Sequence, residues 1–489
     1  MSTPIRARDR DALLQALRAG VVPRTGQHLI QVGRSRELEA LLRDLTRVAD
    51  GGSALRLVIG EYGAGKTFFL NLVRAVAMEK KLVTLHADLS PDRRLHATGG
   101  QARSLYAELT RNLATRTRPD GGALAGVVEK FVSGALNEAK QSGEAPEAVI
   151  HRKLDSLTEL VNGYDFASVI AAYWRGFETG NDALKADAVR WLRGEFTTKT
   201  DARAALGVRT IVDDAGVYDQ LKLLARFVRL AGYGGLLICL DELVNLYKLA
   251  NTQARNANYE QILRMLNDVL QGSAEGFGLI LGGTPEFLLD TRRGLYSYAA
   301  LQSRLAENTY AKDGLADFGH PVLRLSALTP EDFYVLLGKL RHVHASGDPA
   351  RHALPDAGLE AFMAHCHTRI GEAYFRTPRT TITGARTPRC SSVRSVVATS
   401  RSMIGTRRAL RIAVTARLGP FNCSDSTWLA VTVRPVRCRI SSAAARSCDG
   451  LRTLNCAMTA TPSTRPATAS SSVASRSRSS GATSPPCGS

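Results

Sequence analysis

The last 109 residues of this chain contain no lysine and no glutamate, and they contain only two aspartates. They hold 16 arginines, so residues 381–489 supply +14 of the formal net charge of +19. Residues 1–380 hold 48 basic and 43 acidic side chains and are therefore nearly balanced. Overall basicity is thus no argument for nucleic-acid binding by the body of the protein.

Further absences exclude several classes of protein. Residues 1–17 lack the apolar core of a signal peptide, and no stretch approaches the ~18 apolar residues that a membrane span needs. The eight cysteines form no C-x-x-C pair and no zinc pattern. A disulfide-rich secreted domain and a membrane partner are therefore not expected, and the sequence predicts a cytoplasmic protein in reducing surroundings.

The amino-acid composition of the chain changes after Thr380. Residues 381–489 hold 20 Ser and 14 Thr but only two aromatic residues. One interpretation is a disordered Arg/Ser-rich arm that neutralises phosphates. The other, which we favour, is a reading frame that slips near Ile382, because a GC-rich gene read out of frame yields Arg, Ser, Ala, Pro, Thr and Cys. The nucleotide sequence around codon 382 distinguishes them, and no catalytic role is expected beyond Thr380.

A phosphate-binding motif stands between a predicted strand and a predicted helix. The apolar run 55–59 (LRLVI) predicts a buried strand, and residues 60–67 (GEYGAGKT) follow it directly. They match G-x-x-x-x-G-K-[ST] without a mismatch, and the next apolar residues recur at helical spacing. We expect the phosphates to be held by Gly60, Gly63, Ala64, Gly65, Lys66 and Thr67.

The residue types in this loop fit phosphate chemistry. Glycines let backbone N–H groups turn inward around the phosphates, and a helix N-terminus adds its positive end. Lys66 would contact the β- and γ-phosphates, and the Thr67 hydroxyl would ligate Mg²⁺. The alternative is a glycine-rich turn in which Lys and Thr occur by chance.

An acidic pair follows a second predicted strand. The apolar run 236–240 (LLICL) ends in Asp241 and Glu242. At the carboxyl end of a parallel strand, Asp241 would hold the Mg²⁺ shell and Glu242 would polarise the attacking water. The alternative is an exposed strand end followed by an acidic helix start.

A third apolar run, 277–281 (FGLIL), leads to Thr284 and Pro285. The Thr284 hydroxyl would be available to the γ-phosphate or to the lytic water. Because Pro285 is expected to begin the next helix, Thr284 is equally well explained as the N-cap of that helix.

The rest of the body is predicted to be helical. Residues 88–241 carry little strand signal, which indicates a helical insertion at about 103–230 of the kind that binds partners. The segment Thr329-Pro330-Glu331-Asp332 predicts a helix start with a hydroxyl N-cap, and helices up to about residue 374 would form a lid. Five histidines in this lid are interpreted as surface residues and not as metal ligands: His342, His344, His352, His365 and His367.

Together these segments resemble an AAA+ ATPase of the origin-recognition type. The resemblance includes the stretch 32–38 (VGRSREL), the phosphate loop, the Asp-Glu strand, the Thr284 strand and Ser303-Arg304. Closer still, five phrases resemble the BrxD family of ATP-binding proteins in BREX phage-defence systems: GEYGAGKTFFL, HADLSPDRRLH, LDELVNLYK, GGTPEFLLD and RRGLYSYAALQSRL. The likeness runs from about residue 21 to residue 380, and residues 381–489 depart from it.

The resemblance implies roles for several arginines. The Gly33-Arg34 stretch would pack near the adenine. Arg304 would be an arginine finger for a neighbouring subunit, with Arg292 and Arg293 as rivals. Arg379 would sense the nucleotide from the lid. Each of these arginines is also explained as a solvated or structural ion pair. The resemblance further implies a homo-oligomer, with other phage-defence proteins as partners. DNA would be the ultimate target, but no residue of the body establishes direct contact with it.

The motifs thus predict an α/β fold, a P-loop parallel sheet flanked by helices, with a helical insertion, a helical lid and a disordered C-terminal tail. The resemblance implies that this fold is of the AAA+ type. The expected domains are an N-terminal segment at 1–50, the ATPase domain at 51–320, the lid at 321–380 and the tail at 381–489. The expected function is Mg²⁺-dependent ATP binding and hydrolysis in a phage-defence complex. A nucleotide-gated scaffold or switch with little turnover, and a defective product with an altered C-terminus, remain as alternatives.

Overall fold

Parallel strands form a sheet in the computed structural model, which describes residues 4–306 and 318–370. The sheet has five strands in the order β2-β3-β4-β1-β5. The strands are β1 (Ser53–Ile59), β2 (Val83–Asp88), β3 (Leu236–Asp241), β4 (Phe277–Gly283) and β5 (Val322–Arg324). The predicted α/β class is confirmed, as are the strands expected at 55–59, 236–240 and 277–281.

Helices make up most of the remaining described chain. Those on either side of the first two strands are α1 (Ala7–Arg18), α2 (Ser35–Ala49), α3 (Lys66–Glu79) and α4 (Gln101–Arg111). They are followed by α5 (Leu124–Ser142), α6 (Pro146–Thr158), α7 (Gly163–Glu178), α8 (Asp182–Leu192), α9 (Lys199–Leu206) and α10 (Val217–Leu230). The C-terminal part holds α11 (Val244–Tyr247), α12 (Thr252–Leu270), α13 (Pro285–Leu289), α14 (Ala299–Leu305), α15 (Pro330–His344) and α16 (Asp356–Ile370).

The continuous apolar strands are explained by burial of the sheet on both faces. All seven residues of β1 are buried, and β1 lies between β4 and β5. One face packs against apolar residues of α2 and α3, and the other face packs against α4, α10 and α12. Because both faces of this parallel sheet are covered, nearly every residue of its central strands is apolar, and the usual alternation of apolar and polar residues is absent. Such continuous apolar runs can be recognised in the sequence.

The chain between β2 and β3 consists of helices α4 to α10, as the helical spacing predicts. Their apolar residues belong to the same core as one face of the sheet. Phe227 of α10 is buried in this core, with its ring centroid 5.2 Å from that of Phe131 and 5.6 Å from that of Phe166. These helices occupy the region of the predicted insertion, whose boundaries at about 103–230 stay a prediction.

The first helix and the last two helices share a smaller core. Leu13 and Ile30 pack with Phe333, Leu336 and Val343 of α15. The start of α15 is as predicted: Thr329 and Asp332 form a reciprocal capping box, with Pro330 as the first helical residue. The segment assigned to 1–50 and the lid assigned to 321–380 are therefore in direct contact.

The lid histidines show one close pair. His342 Nδ1 lies 3.4 Å from His352 Nε2, with the two rings nearly perpendicular. Within residues 4–306 and 318–370, no group of three or more His, Cys, Asp or Glu side chains is arranged to hold a metal ion. In the same residues, no helix combines the length and the apolar character that crossing a membrane requires.

A buried ion pair ties β1 to α2. Arg56 Nε donates to Asp44 Oδ2 at 2.5 Å, and Arg56 also donates to the His320 carbonyl beside β5. Both side chains are more than nine-tenths buried. Burial makes each of these charges costly without its partner, so the two side chains stabilise one another.

We expect Asp44→Ala to lower the free energy of unfolding by about 3–5 kcal/mol, because it leaves the Arg56 charge buried and unpaired. Replacing both partners, as in Asp44→Leu with Arg56→Met, should recover most of that loss. Urea unfolding followed by circular dichroism measures both. The control is Arg47→Ala, which removes a side chain that is 60% exposed and lies 3.4 Å from the same carboxylate. If Asp44→Ala cost no more than this control, the pair would not be structurally important.

Candidate functional site

A cavity of about 290 Å³ opens at the carboxyl ends of β1, β3 and β4. Its wall includes eight of the predicted site residues: Arg34, Gly63, Ala64, Gly65, Lys66, Thr67, Glu242 and Thr284. Two more, Gly60 and Asp241, lie directly behind this wall and contact it through hydrogen bonds. Arg304 is not part of the wall, and Arg379 lies outside the described residues.

The phosphate loop owes its shape to two glycines. Gly63 and Gly65 have φ angles of +79° and +86°, in the left-handed region that glycine adopts without steric cost. Gly65 is the N-cap of α3, so the helix begins at Lys66 against the cavity. The unpaired amides of the first helical turn therefore meet the cavity, which is the arrangement that binds phosphate.

Lys66 is held at the base of the loop. Its Nζ donates to the carbonyl oxygens of Gly60 at 2.7 Å and of Glu61 at 3.0 Å, and it lies 5.5 Å from the centroid of the Tyr62 ring. Burial lowers the pKa of Lys66, while the carboxylates, Asp241 foremost, oppose that shift. The side chain thus supplies a positive charge between the loop and the acidic strand end.

Thr67 and Asp241 bring two oxygen ligands together. Thr67 Oγ1 donates to Asp241 Oδ2 at 2.7 Å, and Asp241 Oδ1 accepts from the Glu242 amide at 2.8 Å. Asp241 is only 6% exposed. Mg²⁺ prefers oxygen donors and takes few of them from the protein when phosphates and water supply the rest. A hydroxyl and a carboxylate in contact beside a phosphate loop fit that ion.

The neighbouring strand must carry a glycine to leave room for this carboxylate. A Cβ atom on Gly282 of β4 would lie 2.5 Å from Asp241 Oδ1. No real Cβ contact is so short, so any side chain at this position displaces Asp241. The Gly-Gly sequence that ends β4 is therefore part of the site.

Glu242 is held in an unusual backbone conformation at the cavity. Its φ angle is +59°, which is uncommon for a residue other than glycine. Burial raises the pKa of its carboxyl group, and the charges of Asp241 and Asp88 raise it further. Strain at a cavity wall points to function, because the fold holds the residue there against its local preference.

Asp88 is a residue of this acidic edge that the sequence motifs did not single out. It ends β2 and pairs in register with Asp241 of β3. Burial and the charge of Asp241 raise its pKa. The sequence analysis did not predict β2, so it did not identify Asp88 as an acidic residue at a strand end. Asp88 entered that analysis only as part of the phrase HADLSPDRRLH.

Both interpretations of Thr284 agree with its geometry. It is 3% exposed and lies in the cavity wall, and its Oγ1 accepts from the Phe287 amide at 3.4 Å as the N-cap of α13. The predicted start of that helix at Pro285 is confirmed. The long hydrogen bond leaves the hydroxyl able to contact a ligand as well.

Arg34 lies at the phosphate loop. Its Nη2 donates to the carbonyl of Ala64 and, at 3.4 Å, to that of Ser326. Its φ angle is +56°, at the N-cap of α2. Burial lowers the pKa of its guanidinium, against the opposing charges of Glu37 and Asp332. The side chain thus links the loop to the segment that leads into α15.

The far half of the cavity is apolar and was not predicted. It is formed by the end of α1 and the following turn, by the segment before Arg34, by α3 and by α15. The contributing residues include Leu17, Val21, Val22, Pro23, Ile30, Val32, Leu72, Leu328 and Leu336. They come from four separate parts of the chain and form no motif, so only the fold reveals them.

The candidate arginines differ in what they contact. Arg304 is exposed on α14, where its Nε donates to Asn267 Oδ1 at 2.8 Å and its Nη1 to the Ala300 carbonyl at 2.9 Å. Arg293 donates to the carbonyls of Tyr247 and Leu249, both at 3.2 Å. Arg292 is exposed, and its amide donates to Asp290 Oδ1.

The phosphate loop, the adjacent acidic strand end and the enclosed cavity define a P-loop nucleotide-binding protein. The family described as BREX system ATP-binding protein BrxC/D matches residues 5–384. The chain belongs to this family and is a phage-defence component that binds ATP. The resemblance to BREX ATP-binding proteins is thereby confirmed, and the match ends close to Ile382, where the composition changes. No curated protein and no solved structure matches the chain.

We expect Gly282→Ala to weaken binding of ATP in the presence of Mg²⁺ by about tenfold or more. The added methyl group pushes Asp241 away from Thr67, and a hydrogen bond to a charged group is worth about 1.5–3 kcal/mol. Isothermal titration calorimetry with a non-hydrolysable ATP analogue measures the affinity.

The matched control is Gly134→Ala in α5, where the new Cβ meets no atom within 4 Å. This change should leave the affinity unaltered and stabilise the helix by ~0.5–1 kcal/mol. Equal affinities for the two alanine variants would show that Asp241 does not need its present position.

Proposed function

We propose that this BREX family member is a Mg²⁺-dependent ATPase. The observation that carries the proposal is the hydrogen bond from Thr67 to Asp241, with Glu242 next in the chain and in the wall of the same cavity. This arrangement brings together the phosphate loop, two oxygens that can bind a metal ion and a second carboxylate. The loop and the two oxygens suffice for binding ATP with Mg²⁺. Hydrolysis also requires a group that activates water, and the second carboxylate can supply it.

In the proposed reaction, the loop amides and Lys66 hold the β- and γ-phosphates of ATP. Mg²⁺ bound at Thr67 and Asp241 would neutralise charge on the phosphate oxygens. Glu242 accepts a proton from a water whose oxygen forms a bond to the γ-phosphorus. The bond from that phosphorus to the bridging oxygen of ADP breaks, and phosphate leaves. Thr284 donates a hydrogen bond to the γ-phosphate or to the attacking water.

The geometry supports Glu242 as the base in two ways. The hydrogen bond from Thr67 goes to Asp241 and not to Glu242, so the Glu242 carboxylate is not used in that contact. Its pKa is raised by burial and neighbouring carboxylates, which makes the carboxylate a stronger proton acceptor than an exposed glutamate. The two adjacent acids would thus divide the work between metal binding and proton transfer.

We further propose that the protein is of the AAA+ origin-recognition type and acts as a homo-oligomer. Arg304 supports this proposal because it is exposed, lies outside the cavity of its own chain and is oriented by Asn267. Its placement suits an arginine that reaches the γ-phosphate of a neighbouring subunit. Arg293 is less suited, because its guanidinium is bonded to two backbone carbonyls of its own chain.

Other BREX defence proteins are the expected partners, in the cytoplasm. Helices α4 to α10 form a large body beside the nucleotide site, and we propose that this body binds a partner. Two apolar side chains stand out on it, Tyr164 at 73% and Val161 at 62% exposure. The nearly balanced charge of residues 1–380 gives no support for direct contact between this body and DNA.

We expect Glu242→Gln to reduce ATP turnover by about 10²–10⁴-fold, the range for loss of a general base, while ATP affinity stays close to that of wild type. Phosphate release and calorimetric titration measure the two quantities. Glu159→Gln, an exposed glutamate at the end of α6, is the matched control. If wild type and Glu242→Gln turned over ATP equally slowly, the protein would instead be a nucleotide-gated scaffold.

We expect Arg304→Ala to lower turnover by about 10³–10⁵-fold without weakening ATP binding, as arginine fingers do. Mixing Arg304→Ala with Glu242→Gln should restore part of the activity, because some sites then combine an intact base with an intact arginine from the neighbour. Replacing Arg304→Ala by Arg292→Ala in this mixture tests whether Arg292 is the arginine that acts on the neighbouring subunit. Two inactive variants that stay inactive when mixed would argue against a shared site.

A further inference from the structure

The turn that carries Glu242 is fixed by hydrogen bonds to both neighbouring strands. β3 ends at Asp241, so Glu242 lies in the turn before α11. The Asp241 carbonyl accepts from the Leu89 amide at 3.0 Å, and the Leu243 amide donates to the Gly282 carbonyl at 3.1 Å. Leu89 follows β2 and Gly282 belongs to β4, the strands on either side of β3. The residues before and after Glu242 are therefore anchored to opposite sides of the turn.

The side chain of Asn245 completes this set of bonds. Its backbone amide donates to the Glu242 carbonyl at 2.9 Å, and its side-chain Nδ2 donates to the Leu89 carbonyl at 2.7 Å. Leu89 is thus bonded through its amide to Asp241 and through its carbonyl to Asn245. The bonds form a closed ring that includes Glu242.

Opening this ring would release Glu242 from a conformation that it does not prefer. A left-handed backbone is uncommon for residues other than glycine and persists only where the surrounding contacts require it. Without the bond to Leu89, the start of α11 can move away from β2, and the amide that bonds to Glu242 moves with it. A change of φ from +59° to a negative value would redirect the Cα–Cβ bond of Glu242. Its carboxylate would then leave the cavity wall that it now lines.

An asparagine suits this position through its lack of charge as well as through its donor. Asp88, Asp241 and Glu242 already bring three carboxylates to this edge of the sheet. An ionised aspartate in place of Asn245 would have no proton to donate to the Leu89 carbonyl, and a lysine or arginine would add a positive charge beside the acids. The side-chain amide supplies the donor and leaves the charge of the site unchanged.

We propose that Asn245 is a positioning residue for ATP hydrolysis, which holds Glu242 in the conformation that presents its carboxylate to the nucleotide. The inference rests on the proposed function of Glu242 as the general base. Asn245 is not among the described residues that line the nucleotide cavity, so it acts through Glu242 and not on the ligand. Its loss should therefore slow turnover and leave ATP binding unchanged.

The variant Asn245→Leu removes the donor and keeps a side chain of similar size. We expect kcat for ATP hydrolysis by the full-length protein to fall about tenfold, while the affinity for a non-hydrolysable ATP analogue stays within about twofold of wild type. In a Glu242→Gln background the same substitution should have no further effect on kcat, because both changes act on one group. A parallel loss of affinity and turnover, or losses that multiply in the double variant, would overturn the proposal.

The matched control is Asn112→Leu. Asn112 Nδ2 donates to the carbonyl of His86 on β2 at 3.0 Å, so this variant also removes a bond from an asparagine to that strand. It should leave kcat unchanged, and an equal fall in kcat would show that Asn245 has no specific role. Asn245→Ala, a smaller replacement, keeps the test valid if Asn245→Leu does not fold.

A crystal structure of Asn245→Leu tests the inference without a measurement of activity. We expect the φ angle of Glu242 to leave the left-handed region and its carboxylate to withdraw from the cavity wall. A φ angle that stays near +59° would overturn the positioning role, even if turnover falls. Equal turnover by wild type and Glu242→Gln would instead contradict the general base, and the crystal structure would still decide whether Asn245 holds Glu242 in place.

Discussion

The contact between Thr67 and Asp241 depends on the order of the strands. The phosphate loop follows β1 and the acidic pair follows β3, with β4 between them in the sheet. Parallel pairing places all three carboxyl ends at one edge, and the hydroxyl and the carboxylate then meet at 2.7 Å although 174 residues separate them in sequence. Everything else in the site is arranged around this contact. Gly282 leaves room for the carboxylate, Gly65 begins the helix that carries Thr67, and Lys66 balances the acidic charge.

The predictable parts of the fold are those with a strong local signal. The runs at 55–59, 236–240 and 277–281 are apolar throughout because the sheet is covered on both faces, and the start of α15 is fixed by a capping box. β2 was missed because threonine, histidine and aspartate occupy one of its faces. β5 is only three residues long and gives too short a pattern to identify.

The site was predictable to the same extent. The loop residues, Asp241, Glu242 and Thr284 stand in motifs whose chemistry is recognisable one segment at a time. The apolar half of the cavity and the position of Asp88 beside Asp241 depend on which strands and helices become neighbours, and that is a property of the fold. The contact of Arg34 with Ala64 also could not be predicted from the sequence, because 30 residues separate the two and no periodicity relates them.

The connection between β2 and β3 begins after Asp88 at the carboxyl edge of the sheet and ends before Leu236 at the amino edge. Helices α4 to α10 are therefore joined to the sheet at opposite ends of two adjacent strands, and their apolar residues share one core with a face of that sheet. A rigid-body displacement of these helices is constrained at both ends of the strands, one of which is the end where the nucleotide cavity opens.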